Sequence, residues 1–321
     1  PTVGITVAML GGIGSEDAED NGISNLVSRM LLKGTSTLKE DMIKGAFDSM
    51  GGSISAFSGM SSFGVNISIL KDDLDRGLGI LHSILTDSVF PQDELDKEKE
   101  LVLAAIKDDD DDIFQRGSNA LRRDLYPDAP FGMRYLGEPE TVSAMTREKL
   151  LKFYGTYSAA NNIVISISGD IDKAPLLKKI SGLFKDMKRR DIPSSPQTVK
   201  QISGVKTRKI YMDRDQSLLL NGFLTCGIRS DDRYSIDIIC SILSGSSGRL
   251  FTELRDKMSL AYTLGCAPRF SIETGYLTFY VATTKEKLEE SRKALLGQIN
   301  AIRNTVVTDA ELELAKRERL T

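Results

Sequence analysis

Residues 21–35, NGISNLVSRMLLKGT, read as a short amphipathic helix running into a glycine stop. Ile23, Leu26, Val27, Met30 and Leu31 recur at helical spacing and form one apolar stripe, which needs a core to fill. Asp20 or Asn21 can cap the start, and Gly34 ends the helix after Lys33.

Upstream, TVGITVAML (2–10) reads as a strand entering a turn at Gly11-Gly12. Downstream, Thr37 and Glu40 have the spacing of a capping box for the helix LKEDMIKGAFDSM, closed by Gly51-Gly52. SISAFS and FGVNISIL follow as a half-buried antiparallel pair, with Phe63, Val65, Ile67 and Ile69 alternating with polar or small residues. A helix over about 72–86 carries Leu74, Leu78, Leu81 and Leu85 on one stripe. Pro91 then opens the long helix PQDELDKEKELVLAAIK. Residues 147–157 are helical, NIVISIS (162–168) reads as a buried strand, and APLLKKISGLFKDM packs behind it. The stretch 188–204 holds two prolines and three serines without periodicity, and the domain linker is expected there, at 191–204.

The second half repeats the order of the first. Expected strands RKIYMD and SLLLNGFLTC lead to a helix near 231–243, a GSSG turn at 245–248, the helix RLFTELRDKM, two strands and a long helix from Thr284. PQDELDKEKELV aligns with the stretch after Val307, Leu95 against Leu312, an offset of 312 − 95 = 217. A duplication of this size implies an α+β protein of two homologous domains, 1–190 and 205–321, each an antiparallel sheet backed by helices. The second copy stops where the first continues for about 80 residues, and the chain opens on Pro1, so the reading expects a piece of a longer protein.

Composition narrows the chemistry. A net charge of −3 gives no reason to expect nucleic acid, and no apolar run spans a bilayer; the compartment stays open, cytoplasm or periplasm for a bacterial chain. Cys226, Cys240 and Cys266 are odd in number, lack a C-x-x-C pair and read as buried thiols. His82 is the one histidine, which removes most chemistry built on imidazole.

Four stretches in order resemble the pitrilysin/insulinase family, in its branch related to the mitochondrial processing peptidase. GISNLVSRMLLKGT resembles the family's zinc helix, G-[L/I]-A-H-F-L-E-H-M-L-F-K-G-T. SMGGSISAFS resembles its substrate-strand region, and the run from YPDAPFGMRYLGEPETV to YSAANNIVISISGD resembles the end of its first domain. GSSGRLFTELRDKMSLAYTLG resembles the second-domain motif S-R-L-F-x-E-L-R-E-K-x-G-L-A-Y. The resemblance implies a processing-peptidase-like metallohydrolase fold.

It also implies a site that this chain fills only in part. In the family, two histidines four apart and a glutamate about 76 residues on hold zinc, and the glutamate of H-x-x-E-H acts as general base. Here Asn25, Ser28 and Arg29 stand at those helix positions, and Ala104 and Ala105 stand in the distal region. No metal is expected in this chain: one neutral amide oxygen is a poor donor, and Arg29 places a permanent positive charge where a dication would sit. The second-domain motif retains Arg255 and Tyr262, which the resemblance implies as substrate and oxyanion donors. Ser55, Ala56 and Phe57 fall on the strand to which extended peptides would add.

The expected function is the non-catalytic subunit of a two-chain zinc peptidase, whose H-x-x-E-H partner, a paralogous subunit, carries the zinc. The alternatives are an assembly protein such as the respiratory bc1 core subunits, and a module that captures extended peptides without cleaving them. Arg255 could instead pair with Glu253 or Asp256 at a helix end. His82 reads as a packed or surface residue, DDDDD (108–112) as a solvated helix face, and Gly245 and Gly248 as a turn.

Overall fold

The protein, described by a computed structural model over residues 1–193, 199–200, 202–245 and 247–320, divides into two compact units. The first unit is built on strand alternation. Strand β1 (Thr2–Leu10) runs antiparallel between β3 (Ser62–Leu70) and β4 (Ile163–Gly169), and β2 (Ser53–Ser58) closes the other side, giving the order β2-β3-β1-β4. Register puts apolar against apolar on one face: Val3 opposite Ile69, Ile5 opposite Ile67, Val7 opposite Val65 and Met9 opposite Phe63, all buried. A slip of one residue would turn this whole set to solvent, so the pattern itself fixes the pairing.

Helices cover that face. They are α1 (Ile23–Met30), α2 (Glu40–Ser49), α3 (Leu74–Asp87), the N-terminal part of α4 (Gln92–Asp111), α6 (Pro139–Ala144), α7 (Arg147–Tyr157) and α8 (Lys173–Leu183). The α1 stripe of Ile23, Leu26, Val27, Met30 and Leu31 is buried in full, as its spacing predicts. The Thr37/Glu40 capping box does not form. Helix α2 starts at Glu40 without a side-chain cap; Thr35 Oγ1 accepts from the Thr37 and Leu38 amides, and Glu40 turns to lysines. Strand β4 is not the buried strand its composition suggests. It lies at the sheet edge with Val164 67% exposed, because only β1 pairs with it.

The second unit holds β5 (Gln216–Cys226), α9 (Asp232–Leu243), a π-helical segment Phe251–Lys257, β6 (Thr263–Phe270), β7 (Thr274–Thr284), α10 (Leu288–Asn304) and α11 (Asp309–Leu320). Its sheet order, β5-β7-β6, matches β1-β3-β2 of the first unit element for element. Helices α4 and α11 begin 309 − 92 = 217 residues apart, the offset read from the sequence. RKIYMD (208–213) is not a strand: no described strand pairs with it, and Tyr211 is largely exposed.

The units are not contiguous in sequence. One comprises Pro1–Asp108 and Met133–Pro196, the other Asp109–Gly132 and Gln197–Thr321. The boundary expected within 191–204 falls partly on residues outside the described set, and the contiguous division at 190 has to be corrected for residues 109–132. Helix α5 (Ile113–Leu125) belongs to the second unit because it lies on β5 there. A Cβ at Gly222 would stand 2.8 Å from Leu121, Tyr126 packs edge-on to Tyr276, and Phe114 edge-on to Tyr280. The aspartate run straddles this crossing, and Asp112 caps α5 by accepting from the Gln115 amide at 2.8 Å.

Candidate functional site

Helix α1 is set in place by a residue the sequence reading passed over. Its N-cap is Gly22, at φ +97° and packed against Leu136 and Gly137, where a Cβ would clash with the Leu136 carbonyl at 2.8 Å. Neither Asp20 nor Asn21 supplies the cap oxygen. The Glu16 carboxylate does so instead: it accepts from the Gly22 amide at 2.8 Å, the Ser24 amide at 3.0 Å, the Asn21 side chain at 2.9 Å and the Ser24 hydroxyl. Burial pushes the Glu16 carboxyl up, and these hydrogen bonds offset that only in part. Ser24 also meets Ser58 at 3.0 Å, which ties the helix to the end of β2.

Where the resemblance implies two histidines and a base, α1 presents a closed network. Ser28 Oγ is spent on the Asn25 carbonyl at 2.8 Å. Arg29 Nε donates to Asn25 Oδ1 at 3.1 Å, and its Nη1 donates to Glu98 on α4 at 3.2 Å. Lys33 meets the other Glu98 oxygen at 2.7 Å and Glu40 at 2.7 Å, while Lys44 also pairs with Glu40. Glu98 is 5% exposed and has two cations on its two oxygens. Burial alone would lower Lys33, yet its hydrogen bonds to Glu40 and Glu98 hold the ammonium above the ordinary lysine range. Burial likewise raises Glu40, but Lys33 and Lys44 outweigh it and hold that carboxyl at about 2. Both carboxylates of this cluster are paired with protein cations, three of them for two carboxylates, so neither is left over for a dication. Among the described residues, no group of three or more His, Cys, Asp or Glu could hold a metal ion.

Glu98 left a trace that the sequence reading missed. Leu95, Glu98, Val102 and Ile106 are the buried positions of α4, so the glutamate occupies a core place on an apolar stripe, seven residues before Ala105. A carboxylate at such a place requires cations nearby, and Arg29 and Lys33 lie four residues apart, at the end of α1 and in the turn that follows it. No local signal marked Glu16.

Arg255 lies in the π-helical segment and Tyr262 in the loop entering β6. Arg255 does not pair with Glu253, whose carboxylate is held by Lys257 at 2.7 Å. Its guanidinium stacks over the Phe251 ring at 4.4 Å and is exposed. Tyr262 is 71% exposed, while its backbone amide is fixed to the Ala282 carbonyl at 3.1 Å. Between them, Ser259 takes φ +51° in the place where the family motif has glycine. That turn is braced: Lys287 donates to the Ser259 carbonyl at 2.7 Å, Thr283 to the Leu260 carbonyl at 2.5 Å, and the Leu260 amide to Leu254 at 2.8 Å. A fixed backbone thus carries two exposed hydrogen-bond donors.

Ser55, Ala56 and Phe57 lie on β2, which pairs only with β3 and forms the edge of the first sheet. His82 packs edge-on against Phe184 at 5.3 Å. Gly245 takes φ +82° in a turn before the π-helical segment, and Gly248 approaches the Ser244 carbonyl closely. Among the described residues, no helix is long and apolar enough to cross a membrane.

Residues 1–137 match the profile of the insulinase domain of peptidase family M16, and residues 144–319 match the profile described as the peptidase M16 inactive domain. A protein of Rickettsia felis described as an uncharacterized zinc protease is 29% identical over 321 residues, spanning 98% of this chain and 76% of that protein. A solved structure of a protease from Helicobacter pylori superposes with a TM-score of 0.92 at 19% identity, covering 99% of this chain and 78% of the other. The peptidase M16 inactive domain from Pseudomonas fluorescens superposes at 0.86 and 21% identity, over 100% of this chain and 78% of the other. At these identities the superpositions establish the shared fold.

Proposed function

Because the chain belongs to peptidase family M16, we propose that it is a pseudo-peptidase subunit that supplies substrate contacts to a separate zinc-bearing subunit of the same fold. The observation that carries this reading is an asymmetry between the two units. In this reading the helix that would hold zinc is occupied by ion pairs of Arg29 and Lys33 with Glu98, whereas Arg255 and Tyr262 stand exposed and, among the described residues, no carboxylate pairs with the guanidinium. Conversion of a zinc site into a protein ion cluster removes the Lewis acid and the general base together, so hydrolysis needs both from another chain. In this reading an H-x-x-E-H partner would hold the zinc, which would supply the Lewis acid, and its glutamate would supply the base that this chain lacks. An extended peptide adds to the open edge of β2 at Ser55, Ala56 and Phe57 through its main chain. Arg255 and Tyr262 donate to the peptide carbonyl and to the charge that develops on it.

The test is hydrolysis of fluorogenic peptides in the presence of zinc by this chain, by an M16 chain bearing H-x-x-E-H, and by the mixture. Activity confined to the mixture and reduced about 100-fold by Arg255→Ala is the expected result for loss of an oxyanion donor. An unchanged rate on mixing, or full activity with both Arg255→Ala and Tyr262→Phe, would end this reading for that pair. Zinc-dependent hydrolysis by this chain alone would end it altogether. Capture of extended peptides without cleavage is the second reading. It draws on the unpaired β2 edge and expects peptide affinity that is unchanged by any partner.

A further inference from the structure

Cys240, near the end of α9, and Cys266, in β6, are both buried, and the Cys266 sulfur lies against Cys240. The Cys266 thiol approaches the Cys240 carbonyl at 3.8 Å and accepts from the Ser244 hydroxyl at 3.4 Å, which places its sulfur against Cys240. Ser244 also locks the backbone at this point, accepting from the Cys266 amide at 2.8 Å and donating to its carbonyl at 3.2 Å. Everything between the two cysteines is one excursion of chain, and it contains the π-helical segment, Arg255, the Ser259 turn and Tyr262.

We propose that Cys240 and Cys266 are a redox couple that closes into a disulfide on oxidation and staples together both ends of the segment carrying Arg255 and Tyr262. The closure needs a two-electron oxidant, a peroxide or a small-molecule disulfide such as oxidised glutathione. With peroxide, the Cys266 thiolate attacks one oxygen, giving a sulfenic acid and hydroxide. Cys240 then displaces the sulfenic oxygen, which leaves as water, and the S–S bond forms. With glutathione disulfide, two exchange steps release two molecules of reduced glutathione. Cys266 is the better first nucleophile: the neighbouring Cys240 and the hydrogen bond from Ser244 favour its thiolate, while the proximity of Cys266 and burial disfavour ionisation of Cys240. Burial makes the reaction depend on local opening of the segment, and the bond once formed opposes that opening. Formation of the bond does not rest on the proposed function of Arg255 and Tyr262.

The test treats the purified full chain with hydrogen peroxide, or separately with oxidised glutathione, in buffer and again in sub-denaturing urea to admit the oxidant. The protein is then unfolded, its free thiols are alkylated, and the peptides are mapped by mass spectrometry. The reduced chain has three thiols to alkylate; the oxidised chain is expected to keep only Cys226, with a linked Cys240–Cys266 peptide pair that dithiothreitol releases. Cys226→Ser leaves the link, and Cys240→Ser or Cys266→Ser abolishes it. Tryptic cleavage after Arg249, Arg255 and Lys257 is expected to slow several-fold in the oxidised chain and not in either of the last two variants. Three alkylated thiols after oxidation in urea, a link through Cys226, or stable glutathione adducts on Cys240 and Cys266 would overturn the couple. A link that leaves those cleavage rates unchanged would overturn the staple.

Discussion

Lys33, rather than Arg29, is the residue on which the ion cluster around Glu98 depends. Both reach Glu98, but Arg29 is 36% exposed, whereas Lys33 is 15% exposed and bridges two carboxylates. Removing one partner of a buried pair strands the other charge, while a partly solvated partner is replaced by water. Lys33→Met is therefore expected to cost about 2–4 kcal/mol in urea unfolding and Arg29→Met only about 1 kcal/mol. Equal losses from the two variants would contradict this ranking. Ser259 offers the opposite case. A left-handed conformation disfavours any residue with a Cβ, so Ser259→Gly is expected to raise stability by about 0.5–1 kcal/mol, read as a higher midpoint in the same titration.

At the scale of elements, α11 is attached to the start of the π-helical region by Arg249 and Glu311, whose two oxygens meet Nε and Nη2 at 2.5 and 2.8 Å. Arg249, joined by the Thr308 amide, holds the Glu311 carboxyl at about 2, well below its ordinary 4.5. A depressed carboxyl contributes stability that is fully present above about pH 4.5 and disappears as the pH falls towards 2. The melting temperature of Glu311→Gln should lie below that of the unaltered chain at pH 7, and the gap should close between pH 4.5 and 2. A gap independent of pH would assign the loss to packing instead. The two 217-offset helices differ here: α4 brings a buried glutamate to Arg29 and Lys33, and α11 brings a bidentate partner for Arg249.

On the scale of the whole molecule, the chain passes from one unit to the other at 108/109 and back at 132/133, and the described residues from 199 on belong to the second unit. A fragment of residues 1–190 would therefore carry α5 without β5, leaving Leu125, Tyr126 and Phe131 without the strands that bury them. Such a fragment is expected to bind the dye ANS and to be cleaved by protease within 109–132, where the full chain resists. Full protection of that stretch in the fragment would show that α5 finds a place without the second sheet.

The sequence alone determined the antiparallel pairing of β2 with β3, the buried stripe of α1 and the repeat offset of 217. Each of these is set by local periodicity or by residue chemistry, which survive in one dimension. Tertiary structure alone decided the rest. Glu16 caps a helix six residues away, Glu98 takes its cations from a segment 69 residues distant, and α5 leaves its sequence neighbours for β5. β4 and the RKIYMD stretch likewise depend on which neighbours are present to pair with them. Burial, charge compensation and strand pairing are properties of the assembled neighbourhood, and chain order carries only faint traces of them.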